Sequence, residues 1–177
     1  MLSDREKFSA FCAARYPALV AYAGLFLKGE DRSWAEDVVQ DVLFSVWKRR
    51  SLLRKDPAQV QAYMLKSVYN RSLNYLKHSR LRHQHESSLS DFITIAEQYY
   101  DPDRNEVIRA IFNADLGRAL NHSVETLPEK QREVFRMRFE DNMPERQIAE
   151  ALGISVRTVE AHIYQAMKSL RASMREI

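Results

Sequence analysis

An all-α chain of two small helical domains joined by a linker is the fold this sequence predicts. Three observations carry it: helix formers dominate the composition, apolar residues recur at helical steps, and only 4 Gly and 5 Pro interrupt 177 residues. That length suits one large domain or two of about 70 to 90 residues, each near the lower limit for an independent core. The elements below favour two: residues 1–83, a linker over 84–106, and residues 107–177, the last a helix-turn-helix of winged-helix-like layout without strands. The single cysteine, Cys12, excludes an intrachain disulfide and a thiolate-rich zinc site. Asp4, Arg5, Glu6 and Lys7 stand where a secretory signal needs an apolar run, and no apolar stretch approaches about 18 residues, so the expectation is a cytoplasmic protein.

The first well-marked element spans 34–47. Trp34, Ala35, Val38, Val39, Val42, Leu43, Val46 and Trp47 recur at three- and four-residue steps and form a core face. The opposite face carries Asp37, Gln40, Asp41 and Phe44, an acidic, amide-bearing surface with one exposed aromatic. A break follows at 51–57. A second helical pattern runs through Val60, Met64, Leu65, Val68, Leu73 and Leu76, decorated by Tyr63, Lys66, Tyr69, Asn70, Arg71, Asn74 and Lys77. Aromatics interleaved with cations and amides either stack on bases while holding phosphates or cap the core.

Net charge is +3 over the whole chain, but the segment 48–85 holds ten Lys or Arg, among them Lys48, Arg49, Arg50, Arg54 and Lys55, against the single acid Asp56. Such a field attracts a polyanion. From His83 to Asn105 the helical periodicity fades and acids gather, which reads as a linker; Phe92, Ile93, Ile95, Tyr99 and Tyr100 within it imply that it docks in the working state. His78, His83 and His85 have no carboxylate or thiolate partner in sequence, so no metal site and no cofactor are expected.

Beyond Leu127-Pro128, Val134, Phe135, Arg138 and Phe139 mark a helix that ends near Asn142. Pro144 opens the next, with Ile148, Ala149 and Leu152 inward. Gly153 then supplies a left-handed cap, and Ser155 is a natural N-cap for a last helix whose inward residues are Val156, Val159, Ile163, Ala166, Met167 and Leu170. The small Ala149 and the short glycine turn let two helices cross closely, the geometry that presents a second helix to a major groove. Its outward residues are Arg157, Thr158, Glu160, Ala161, His162, Tyr164, Gln165 and Lys168. Arg157 suits guanine or phosphate, Glu160 cytosine, and Gln165 adenine, with phosphate positioning open for each.

Three stretches resemble the sigma-70 family of transcription initiation factors. Residues 35–43 (AEDVVQDVL) resemble its core-polymerase-binding signature, 69–76 (YNRSLNYL) its promoter-melting helix, and 127–135 (LPEKQREVF) with 147–155 (QIAEALGIS) its fourth conserved region. Their order, with a linker between, matches the extracytoplasmic-function group. The resemblance implies a non-enzymatic factor that binds core RNA polymerase (β′ and β subunits) and promoter DNA, with a membrane-anchored anti-sigma factor as a common regulator. Asp37, Gln40, Asp41 and Phe44 would then meet the polymerase. Lys48, Arg49, Arg50, Arg54, Lys55, Tyr63, Lys66, Asn70, Arg71, Asn74 and Lys77 would hold the minus-10 strand. Ser155, Arg157, Thr158, Glu160, Ala161, His162, Tyr164, Gln165 and Lys168 would face the minus-35 duplex. Two departures stand out: Gln147 where the family usually has Glu, and Glu160 where it often has a cation, which must either pair with cytosine amines or be neutralised by Arg157. A LuxR-type regulator shares the C-terminal pattern and is the alternative, but its receiver domain requires alternating strands and helices, and residues 1–83 show helical periodicity only.

Overall fold

A computed structural model of the protein describes residues 3–26, 32–49, 51–82 and 87–175. Among these residues there are nine α-helices, one short 3-10 turn at Leu52–Arg54 and no strand, as the composition predicts. Arg50, His83 and His85 lie outside the described residues.

Helix α1 (Asp4–Gly24) opens on a capping box. The Ser3 hydroxyl accepts from the Glu6 amide at 3.3 Å, and the Ser3 amide donates to the Glu6 carboxylate at 2.7 Å. Its C-terminal half is the buried part, with Leu19, Tyr22 and Ala23 almost fully enclosed. Helix α2 (Arg32–Lys48) buries Ala35, Val38, Val39, Val42 and Val46, the predicted stripe, with Trp34, Leu43 and Trp47 at its half-buried edges. Helix α3 (Pro57–Arg82) starts on a proline, whose missing N–H is no loss in a first turn. It packs Val60, Met64, Leu65, Val68, Leu73 and Leu76 against α1 and α2. Of the two roles open to the α3 aromatics, Tyr69 takes the second, capping the core. Its ring is 5 % exposed and meets Phe26 edge-on at 5.9 Å, so it belongs to the core.

The larger correction concerns the segment expected to be a linker without helical periodicity. Residues Ser87–Tyr99 form a helix, α4, that lays Leu89, Phe92, Ile93 and Ala96 on α3, while Tyr99 and Tyr100 reach the C-terminal half. Asn105, fully buried, then fixes the entry to α5 (Glu106–Phe112). Its side chain accepts from the Val107 amide at 3.0 Å and donates to the Tyr99 carbonyl at 2.7 Å. Helices α6 (Ala114–Glu125), α7 (Glu129–Phe139), α8 (Glu145–Leu152) and α9 (Val156–Arg175) complete the chain, with α5, α6, α7 and α8 all packed on α9.

The helix-turn-helix forms as predicted. Gly153 closes α8 in the left-handed region at φ 64°, where a side chain would be strained, and Ser155 caps α9 by accepting from the Thr158 amide at 3.0 Å. Ala149 and Val159 are buried at the crossing. The buried apolar side chains of both halves join into one continuous cluster. Arg138 of α7, 4 % exposed, is its charged member: its guanidinium donates to the Ala21 carbonyl near the end of α1, where the helix dipole favours a cation. Gly24 leaves the space for it, since a Cβ there would stand 2.6 Å from Arg138 Nη2.

Candidate nucleic-acid interface

Because α2 turns its valines inward, Asp37, Gln40, Asp41 and Phe44 emerge together on its outer face. Phe44 is 57 % exposed, the one large hydrophobic side chain so exposed among the described residues, and Lys48 lies over its ring at 4.3 Å. Phe44 thus stands exposed beside three polar groups on a single helix face. Asp41 also reaches α3: its carboxylate pairs with Arg71 Nη1 at 3.2 Å, while Arg71 Nη2 donates to the Ser45 hydroxyl at 3.3 Å. The groups expected to face polymerase and those expected to face the promoter strand therefore touch.

Lys48, Arg49, Arg54 and Lys55 are all exposed around the α2–α3 connection. Arg54 and Lys55 line a cavity of about 390 Å³ whose wall also carries Asp4, Lys7, Phe8, Phe11 and Trp47. Phe8 and Trp47 stack at 5.3 Å, so α1 supplies aromatic and basic groups that sequence periodicity does not assign to this surface. Their signal is the Lys7-Phe8 pair, but only the packing of α1 on α2 joins it to the basic segment.

On α3, Tyr63, Lys66, Asn70, Asn74 and Lys77 follow one another at three- and four-residue steps and so share a face. Asn70, Arg71, Asn74 and Lys77 are exposed; Tyr63 is half-buried, with Arg49 above its ring at 5.7 Å. Two of the cations already have partners. Lys66 Nζ is 2.7 Å from Asp103 and 2.9 Å from Asp101, and Lys77 Nζ is 2.7 Å from Glu97. Burial opposes the Lys66 charge, but the hydrogen bonds it donates to Asp103 and Asp101 outweigh that and hold the ammonium above its ordinary pKa.

On α9, Arg157, Ala161, Gln165 and Lys168 are exposed along one face, with Ser155 exposed at the cap. Thr158, Glu160 and His162 are half-covered, and the Thr158 hydroxyl is 2.8 Å from that of Ser155. Tyr164 turns the other way and meets the Tyr99 ring edge-on at 5.2 Å. Burial, then the charges of Glu145 and Glu160, push the Tyr100 hydroxyl far above the usual tyrosine range, so the Glu160 carboxylate lies within electrostatic reach of the core-facing side. Burial also pushes the Cys12 thiol up to about 11, against the opposing charge of Arg15, which keeps it protonated and unreactive at neutral pH. His78 is exposed, and among the described residues no three His, Cys, Asp or Glu side chains gather as a metal site. No helix among them is long and apolar enough to cross a membrane.

Comparison with known proteins adds the decisive observation. Residues 12–82 match the family described as Sigma-70 region 2, and residues 117–170 match Sigma-70, region 4. The chain belongs to the sigma-70 family. Among relatives of this sigma-70 chain, the ECF RNA polymerase sigma factor RpoE of Cereibacter sphaeroides is 28 % identical over 151 residues, covering 85 % of this chain and 77 % of that protein. The ECF RNA polymerase sigma factor SigK of Mycolicibacterium vanbaalenii is 20 % identical over 168 residues, covering 95 % of this chain and 82 % of its own. Both carry the extracytoplasmic-function label, in accord with the order of the motifs. Region 2 takes in most of α1 with α2 and α3, region 4 runs from within α6 to α9, and α4 and α5 fall between the two.

Proposed function

We infer that this sigma-70 chain directs core RNA polymerase to its promoters by dividing the work between three stretches: residues 1–83 dock on the polymerase and capture the minus-10 strand, 84–106 connect, and 107–177 read the minus-35 duplex. The observation that carries the reading is the pair of family regions in their proper order, each with a polar stripe backed by a complete apolar one. On α2, Asp37, Gln40, Asp41 and Phe44 offer carboxylates, an amide and an exposed ring to a basic partner surface, which we assign to the β′ clamp. On α3, Tyr63, Asn70 and Asn74 suit unstacked bases, since amides pair with base edges and aromatics stack, while Lys48, Arg49, Arg50, Arg54, Lys55, Lys66, Arg71 and Lys77 suit phosphates. On α9, Arg157, Ala161, Gln165 and Lys168 form the exposed stripe that a major groove would meet.

In this role the protein supplies binding energy and position, and the polymerase supplies the bond chemistry. Its place of work is then the cell interior, with a membrane-anchored anti-sigma factor as the regulator that best fits the family. The LuxR-type alternative needs strands before its helix-turn-helix; residues 12–82 instead carry the region 2 match.

Run-off transcription with core polymerase over a genomic promoter library tests the reading: start sites must appear only when the protein is added. Asn70→Ala with Asn74→Ala should leave closed-complex formation intact and impair strand opening, read by permanganate reactivity of unpaired thymines. Normal melting by the double variant would remove strand capture from α3.

A further inference from the structure

Arg71 belongs by position to the strand-facing side of α3, but its guanidinium reaches across to α2 and forks over two residues one turn apart. Nη1 lies 3.2 Å from Asp41 Oδ2, and Nη2 donates to the Ser45 hydroxyl at 3.3 Å. That hydroxyl in turn donates to the Asp41 carbonyl at 2.8 Å, which closes a ring of contacts on the outer surface of α2. The pair engages one oxygen of the Asp41 carboxylate. The side chain remains 70 % exposed, beside Asp37, Gln40 and Phe44, so its other oxygen is open to a donor from outside.

We propose that Arg71 is a positioning residue of the polymerase-docking face: it fixes the Asp41 carboxylate for docking and keeps one of its oxygens paired when the interface loses its water. The proposal rests on the assignment of Asp41 to core polymerase. In the free protein the exposed pair contributes little, because water serves both oxygens equally well. Docking changes that balance. As water leaves, a carboxylate oxygen without a donor becomes a penalty, and the attraction between opposite charges grows with the falling dielectric. The partner can reach one oxygen from outside, while the other, turned toward α3, is served from within the chain. Arg71 is the donor already in place there, and its second contact, on Ser45, orders the guanidinium before docking. Repulsion between Arg71 and a basic partner surface acts against this. That repulsion runs through solvent and is screened by salt, whereas an unserved charge in a dry interface is not, so loss of Arg71 weakens docking.

The test is competition for core RNA polymerase between each full-length variant and a fluorescein-labelled wild-type chain. DNA is left out, so any hold of Arg71 on a phosphate cannot contribute. Arg71→Gln should weaken core affinity about three- to tenfold, the loss expected when a charged acceptor goes unserved. In an Asp41→Asn background the same change should add less than about twofold, because the group that Arg71 serves is gone. Arg71→Lys keeps the charge but cannot span Asp41 and Ser45 together, so it should recover only part of the loss. Ser45→Ala should weaken binding in the same direction with no change of charge. Wild-type affinity for Arg71→Gln, an equal loss in both backgrounds, or full recovery by lysine overturns the proposal. Failure of the underlying assignment reads differently: Asp41→Asn alone would then bind core as wild type does, and the positioning role falls with it.

Discussion

Arg138 occupies the inward face of α7, where the apolar pattern of its neighbours Val134 and Phe135 calls for a hydrocarbon, and its guanidinium donates to the Ala21 carbonyl of α1 and, at 3.4 Å, to the Met143 carbonyl. The local sequence places Arg138 on the helix that Val134, Phe135 and Phe139 mark. Its partner Ala21 lies 117 residues away, a separation no local pattern encodes. The same distinction runs through the candidate site. Asp37, Gln40, Asp41 and Phe44 are legible because exposure on α2 follows from a period of 3.6. The partners of Lys66, Arg71 and Lys77 are not, since each pairing joins residues that only tertiary packing brings together. The exposed residues also allow a clean prediction. Asp37 and Phe44 are both exposed, so Asp37→Arg and Phe44→Ala should each change the unfolding free energy by only about 0.5 kcal/mol. Both should nonetheless lower co-purification with core polymerase while DNA binding by the 107–177 half is unchanged. Wild-type recovery of core enzyme by both variants would remove the α2 face from the interface.

At the scale of elements, the helix-turn-helix is readable because each of its parts has a local chemical requirement. Gly153 shows this most directly: it adopts φ 64° with nothing within 4 Å of the point where a methyl group would stand, so any cost of replacing it is conformational and not steric. Gly153→Ala should therefore destabilise by about 1 to 2 kcal/mol, and Gly153→Asn by less, because asparagine tolerates the left-handed region. Urea unfolding of the two variants separates them; equal losses would mean that something other than backbone strain sets the cost. Helix α4 escapes a local reading for the opposite reason. Leu89, Phe92, Ile93, Ala96 and Tyr100 do keep helical steps, but serines and acids at its ends resemble a linker, and its helicity depends on an apolar face that only α3 and α9 can cover. Phe92 lies in that face at 7 % exposure. Phe92→Ala should cost about 3 to 5 kcal/mol, the range for deleting a buried ring, whereas a loosely tethered linker would lose almost nothing. Equilibrium denaturation decides between a helix built into the core and one merely resting on it.

For the molecule as a whole, what the sequence could not convey is the way the two halves meet, and the residues at that junction make stability depend on alkaline pH. Tyr22 lies at its centre, 1 % exposed, donating its proton to the Tyr100 carbonyl and faced by Asp101, Asp103 and Tyr69. Burial first, then the charge of Asp101, raises its pKa well above the ordinary value near 10; Tyr100 is raised in the same sense by burial and by Glu145 and Glu160. In both cases the folded protein holds a proton that the unfolded chain releases more readily. Their contribution is accordingly complete below about pH 10, the unfolded value, and is lost as pH rises above it toward the folded values. Lys66, also raised, acts in the same direction, since its ion pairs disappear once it loses its proton. The protein should thus keep a level unfolding free energy up to about pH 9 and then fall steeply. Tyr22→Phe removes one of the groups responsible. It should cost about 1 to 3 kcal/mol at neutral pH, because the Tyr100 carbonyl is left buried without its donor, but its stability should fall less steeply above about pH 10. Urea unfolding at paired pH values, wild type against variant, measures both effects. The two curves must converge as pH rises, and parallel curves would show that the Tyr22 hydroxyl does not carry the alkaline sensitivity of the junction.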